Sequence, residues 1–193
     1  MIPVSIESEL KLHQQILEQT IQQSAELINT MAITMAKCFQ QGNKILLCGN
    51  GGSAADAQHV AGEFVNRFRL NRRALPAIAL TTDTSVLTAI GNDSAFEDIF
   101  SRQVEALARS GDILVGISTS GTSPDVLKAM DAARANSMIT VGFTGEKGRE
   151  TMAPKCDYCL AVSSDDTPRI QECHIFIWHV ICGIVEQAVF TKS

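Results

Sequence analysis

Apolar residues recur at helical spacing from about Ile6 to Phe39, where Leu10, Ile16, Ile21, Ala25, Leu27, Met31, Ile33 and Met35 stand among Gln and Glu. This pattern predicts one or two long amphipathic helices. The period then changes. Lys44–Cys48 is a short apolar run ending in Gly-Asn-Gly-Gly-Ser, after which Ala54–Phe68 reads as helix again, so the order is strand, tight loop, helix. The same grammar returns at Asp112–Ile117, followed by the Ser/Thr/Gly loop 118–123, Pro124 in a first helical turn, and a helix from Asp125 to about Asn136. Further strands are expected at Ala77–Leu80, Ile139–Phe143 and Tyr158–Val162, with helical stretches at about 85–90, 95–108 and 147–152. Five short strands alternating with helices predict an α/β fold with a parallel sheet covered on both faces.

The last stretch, about Pro168 to Phe190, is apolar around much of its circumference through Ile170, Ile175, Ile177, Trp178, Ile181, Ile184, Val185 and Val189, and it is expected to meet a partner subunit. Nothing in the chain has the composition of a linker or a repeat of solenoid period. We therefore expect residues 1–42 to form a helical oligomerisation segment attached to a single domain over residues 43–193. The apolar stripe of that segment would otherwise lie exposed, a second pointer to a homo-oligomer.

Composition narrows the function classes. With 45% hydrophobic and 19% charged residues the chain is ordinary for a globular protein. Its 16 basic and 21 acidic residues give a net charge of −5 without a dense Lys/Arg block, which argues against a nucleic-acid partner. The apolar stretches are broken by polar residues before they reach the roughly 20 needed to span a bilayer, and Met1–Glu9 lacks a basic stretch leading into an apolar core, so a cytoplasmic protein with no membrane partner is expected. The six cysteines are spread through strand-like and helical segments and read as reduced thiols. Cys156-Asp-Tyr-Cys159 has redox or zinc-knuckle spacing but no second pair, and reads as apolar filler.

Two loops carry the candidate chemistry. In open parallel sheets the ligand sits beyond the carboxyl ends of the strands, where helices begin and point amide N–H groups outward. Gly49-Asn50-Gly51-Gly52-Ser53 lets backbone approach a ligand closely, and Ser118-Thr119-Ser120-Gly121-Thr122-Ser123 offers five hydroxyls without a Lys or Arg. Together they suit a phosphomonoester held by hydroxyls and amides. Neither is a nucleotide or dinucleotide fingerprint. The alternative is that these residues are plain turns and helix N-caps.

Among reactive side chains, His59 and Glu63 stand four apart on one helix face, a spacing that serves a metal or an acid/base pair. In the last helix Gln171, Glu172, His174 and His179 interrupt an apolar surface and need polar partners. Gln171 and His179 are eight apart, about 12 Å along an ideal helix, so joint ligation requires both to lean inward or to come from different subunits. His174 reads as a satisfied core or interface histidine. Asn92 and Asp93 close a loop near a strand end, where they could bond sugar hydroxyls or act as ordinary turn residues.

These residues, Gly49–Glu63 with its Gly-Asn-Gly-Gly-Ser start, Ile117–Ser123, and Arg169-Ile-Gln-Glu-Cys-His174 with His179, resemble the phosphoheptose isomerases of the sugar-isomerase domain superfamily. The likeness runs from about Lys44 to Glu186. It implies a flavodoxin-like, doubly wound sheet of five parallel strands and a homotetramer with active sites shared between subunits. It also implies one Zn2+ per subunit held by His59, Glu63, Gln171 and His179. Asn50, Gly51, Gly52, Ser53, Asn92, Asp93, Ser118, Thr119, Ser120, Ser123, Glu63 and Gln171 match positions that hold the sugar phosphate. The implied reaction converts sedoheptulose 7-phosphate to D-glycero-D-manno-heptose 7-phosphate, the first step toward nucleotide-activated heptose, with Glu63 and His179 as catalytic residues. Some members carry an acid where this chain has Pro168. Two other readings are a catalytically silent scaffold of the same superfamily that binds a replication initiator protein, and an isomerase of another phosphosugar.

Overall fold

A computed structural model describes residues 5–191 of the chain. Residues 1–4 of the expected N-terminal segment, and 192–193, lie outside the described residues. Five strands, β1 (Ile45–Gly49), β2 (Ala77–Ala79), β3 (Ile113–Ile117), β4 (Ile139–Gly145) and β5 (Tyr158–Val162), form one sheet of order β2-β1-β3-β4-β5, and every pairing is parallel. This is the flavodoxin-like order, whose direction reverses between β1 and β3. Strand side chains alternate between two cores. Ile45, Leu47, Ile113, Val115 and Ile117 face one way, toward α1 (Ile6–Gln40), α2 (Gly52–Val65) and α7 (Thr167–Phe190). Leu46, Cys48 and Leu114 face the other, toward α4 (Ser101–Leu107) and α5 (Pro124–Ala135), with α3 (Thr84–Asp93) and the single turn α6 (Arg149–Met152) alongside. The sheet is doubly wound, as expected.

α1 is a single helix of 35 residues, opened by a reciprocal box in which the Ser5 hydroxyl accepts from Ser8 N–H and Ser8 answers from its own side chain. Its apolar stripe is met within the chain over the second half, while Ile6, Leu10 and Ile33 stay exposed. Ile28, Met31, Ala32, Met35, Cys38 and Phe39 are buried in the core shared with the sheet and α7, so this half of the helix is part of the domain and not an appendage. α1 ends at Gln40, and the chain turns at Gly42, with φ 82°, on its way to β1.

α7 is the most apolar of the helices. By length and a mean hydropathy of 1.6 over its most apolar stretch it is the one helix among the described residues apolar enough to cross a bilayer. Ile177, Trp178, Ile181 and Val185 instead fill the domain core, with Trp178 stacked 4.5 Å from Phe143.

Three helical boundaries differ. α2 ends at Val65, not Phe68, and an irregular segment runs from there to β2. The stretch 95–108 is broken into a 3-10 turn at Phe96–Asp98 and α4, with extended backbone at Ala95. α3 continues to Asp93, so Asn92 and Asp93 are helical and not loop residues. Asp83 caps the start by accepting from Val86 N–H, and no breaker intervenes. All six cysteines are free, and burial pushes the thiols of Cys38 and Cys182 up to about 12. Cys156 and Cys159 share a thiol hydrogen bond that raises the first and lowers the second.

Candidate active site

The loops after β1 and β3 flank the point where strand order reverses, the place where open α/β sheets bind ligands. Both open helices that have no side-chain cap. Gly51, at φ 53° and ψ −119°, turns the chain into α2, and Ser123 precedes α5 without bonding its amides. The N-cap alternative therefore fails for these two positions; Ser53 and Ala54 N–H donate to the carbonyls of Asn50 and Gly51, which leaves the N–H groups of Gly52 in α2 and of Asp125 and Val126 in α5 for an anion.

The hydroxyls gather in the second loop instead. Ser118 Oγ lies 2.8 Å from Ser123 Oγ and 3.4 Å from Ser120 Oγ, and Ser120 Oγ accepts from Thr122 Oγ1 at 3.0 Å. Thr119 contributes its carbonyl to Gly145 N–H at 3.0 Å. Gly121, at φ 67°, passes so close to the Gly148 backbone that no β-carbon fits.

A residue missed in the sequence joins the two loops. Asp125, 2% exposed at the start of α5, accepts from both Asn50 Nδ2 contacts at 3.1 and 2.9 Å. Asp at the second position of a helix is common, and nothing local marks it as the partner of a residue 75 positions earlier.

The reactive cluster lies farther along α2. His59 Nε2 is 3.1 Å from Glu63 Oε1 and 3.3 Å from His179 Nε2, and the donor atoms of all three residues fall within 4.8 Å of one another. Two ligands about 2.0–2.1 Å from one tetrahedral ion are roughly 3.3 Å apart, so these separations and the N, N, O donor set fit a divalent ion such as zinc. The imidazole of His179 is held from the other side by Phe68, stacked at 5.7 Å and 21°. Asp56, one turn before His59, is a second residue missed in the sequence. Burial pushes its carboxyl up while His59 draws it down, the first effect prevailing, and its Oδ2 has no partner among the described residues.

Other expected site residues stand apart. Gln171 lays its amide against Gly52 at the first turn of α2, two turns before His59, while His179 is eight residues farther along α7. Within one chain Gln171 thus adjoins the anion loops and not the three-residue cluster. Asn92 and Asp93 sit on the exposed end of α3, where Asn92 Nδ2 donates to Asp93 Oδ1 at 2.7 Å. His174 is buried, with Nε2 3.2 Å from the Thr144 carbonyl, and burial pushes its pKa down to about 4. It is a core histidine, satisfied at Nε2 only, since its buried Nδ1 has no partner among the described residues. Arg169 and Glu172 pair with each other and, through Glu9 and His13, bind the first turns of α1.

Comparisons with known proteins give the family. Residues 10–145 match the SIS domain family. The phosphoheptose isomerase of Roseiflexus sp. (strain RS-1) is 57% identical over 174 residues, 90% of this chain and 88% of that protein. That of Burkholderia pseudomallei (strain K96243) is 60% identical over 153 residues, 79% and 77% of the two chains. The solved phosphoheptose isomerase of Neisseria gonorrhoeae superposes with a TM-score of 0.88 at 42% identity, covering 94% of this chain and 97% of its own. By family model, sequence identity and superposition, the chain belongs to the phosphoheptose isomerase family of SIS-domain proteins.

Proposed function

We propose that this isomerase interconverts sedoheptulose 7-phosphate and D-glycero-D-manno-heptose 7-phosphate by proton transfer through an enediolate, as a cytoplasmic homotetramer with one zinc ion per subunit. The observation that carries the reading is the convergence of His59, Glu63 and His179 within 4.8 Å. An aldose–ketose interconversion needs a base for the carbon proton, a group that moves the oxygen proton, and stabilisation of enediolate charge.

The phosphate end is held by the N-termini of α2 and α5 and by Ser53, Ser118, Ser120 and Ser123, interactions present alike in ground and transition states. Gln171, beside Gly52, orients the sugar next to that cradle. Glu63 takes the proton from the carbon next to the carbonyl and returns it to the neighbouring carbon. His179 moves the proton between the two oxygens, its ring angle set by Phe68. His59, Glu63 and His179 would hold the zinc, which supplies Lewis-acid stabilisation of negative charge on oxygen. One carboxylate cannot bind a metal tightly and act as a free base at once, so Glu63 would hold the zinc only while it is not carrying the proton.

The oligomer reading draws support from exposed apolar groups near the site. Phe176 and Val180, which flank His179 on α7, are 44% and 37% exposed, and α3 buries none of its side chains. A neighbouring subunit would cover them.

The test is turnover of sedoheptulose 7-phosphate by wild type and by Glu63→Gln. The account expects wild-type turnover and a loss of at least about 100-fold in kcat in the variant. Near-normal activity of Glu63→Gln would dismiss Glu63 as the base.

A further inference from the structure

α7 reaches α2 a second time, two turns beyond His179. Glu186 is seven residues on, about 10 Å along the helix and only about 20° around it. The face that carries the imidazole into the cluster thus carries a carboxylate under the irregular segment after α2. The side chains of Glu186 and Arg72 are each 2% exposed. Glu186 Oε1 accepts from Phe68 N–H at 2.9 Å and Arg72 Nε at 2.8 Å, and Oε2 accepts from the N–H groups of Arg69 at 2.9 Å and Leu70 at 3.0 Å. Arg72 turns the rest of its guanidinium to the end of α2. Nη1 donates to the carbonyls of Phe64 and Arg73 at 2.8 and 3.1 Å, and Nη2 donates to the carbonyl of Glu63 at 2.8 Å.

A buried ion pair is weak evidence of stabilisation, because removing both charges from water offsets much of their attraction. What this pair does is define geometry. Three consecutive backbone N–H groups converge on one carboxylate, which dictates the path of residues 68–70 and seats the Phe68 ring on His179. Burial would raise the Glu186 carboxyl, but those N–H groups and Arg72 outweigh it and hold the group below its ordinary range, so it is ionised at neutral pH.

The geometry points to Glu186 and Arg72 as positioning residues for the isomerase site, a buried clamp that sets Glu63 through its backbone carbonyl and His179 through Phe68. The inference rests on Glu63 and His179 being the reacting pair. The phosphate cradle is at the opposite end of α2, so loosening the clamp displaces the proton-transfer groups and leaves phosphate binding intact. A displacement of about 1 Å in such groups lowers the rate on the order of 100-fold.

The test uses the full chain with Glu186→Gln, Arg72→Lys and Phe68→Leu, each followed by steady-state kinetics on sedoheptulose 7-phosphate and thermal unfolding. Cobalt(II) absorbance titration of metal-stripped protein adds a readout independent of turnover. Glu186→Gln and Arg72→Lys are expected to lower kcat about 10- to 100-fold with KM within about twofold. Cobalt binding should weaken about tenfold, in protein that still unfolds cooperatively. Phe68→Leu leaves the ion pair in place and carries the test if a clamp variant fails to fold, with kcat lower by about three- to tenfold at unchanged KM. Folded variants with kcat and cobalt binding within about twofold of an active wild type overturn the clamp alone. A wild type that neither isomerises the sugar nor binds cobalt overturns the reading of the site, and the clamp with it.

Discussion

The side-chain amide of Asn50 spans both carboxylate oxygens of Asp125, at 3.1 and 2.9 Å, and so ties the loop after β1 to the helix that follows the loop after β3. The two halves of the anion cradle are thereby one unit. Asp125→Ala removes both acceptors from the exposed Asn50 amide, a loss of about 1.5 kcal/mol for a bond to a charged group. We expect KM to rise about tenfold with kcat little changed, since the cradle contributes binding common to ground and transition states. Steady-state kinetics on the variant check this, and an unchanged KM would mean that the loops keep their relation without the bridge.

Gly121 provides a second test of the cradle. At φ 67° its α-carbon faces the Gly148 backbone with no room for a methyl group. Gly121→Ala should destabilise the protein by about 1–3 kcal/mol and raise KM more than Ser120→Ala does. Thermal unfolding and kinetics of the two variants side by side read both effects.

Metal dependence follows from the 3.1 and 3.3 Å separations around His59 Nε2. Chelation should abolish turnover and zinc should restore it. His59→Ala, which removes the donor shared by both contacts, should need at least about tenfold more zinc for half-maximal activity. Restoration of that variant at wild-type zinc concentrations would remove His59 from the metal site.

His174 predicts a pH dependence of stability. Its pKa is about 4 in the folded protein because burial penalises the charged ring, whereas the unfolded chain takes up this proton near 6.5. The unfolded state therefore binds more protons between those values, so the contribution is complete above about pH 6.5 and is lost as pH falls toward 4, by about 3 kcal/mol. Urea unfolding at pH 7, 5.5 and 4.5 should show this slope in wild type and a flatter one in His174→Gln.

Much of the fold was legible because its signals are local. Each strand is a short apolar run, and β1 and β3 end in Gly- or Ser-rich turns, so the five strands and the two ligand loops stand within a residue or two of their expected places. The pair His59–Glu63 was legible for the same reason, being one helical turn apart. What escaped is long-range. α2 ends at Val65 because Glu186, more than a hundred residues later, draws the N–H groups of residues 68–70 away from the helix, and Arg72 takes the carbonyls of Glu63 and Phe64. Asp125 declares its role only through Asn50. Gln171, which the resemblance gave to both the sugar phosphate and the metal, lies against Gly52 in the folded chain, a placement that depends on how α7 packs on α2. Periodicity likewise does not report which surface covers an apolar face: the α1 stripe is buried in this chain from Ile28 to Phe39 and exposed at Ile6 and Leu10.

The most direct test of the central claim, that Glu63 carries the substrate's carbon proton, is isomerisation of sedoheptulose 7-phosphate in D2O with mass-spectrometric analysis of the product. The account predicts turnover with wild type, the product carrying deuterium at the carbon next to the carbonyl in each turnover in which the proton on Glu63 exchanges with solvent before its return, and neither incorporation nor turnover with Glu63→Gln. Turnover or deuterium exchange by Glu63→Gln at the wild-type rate would contradict it.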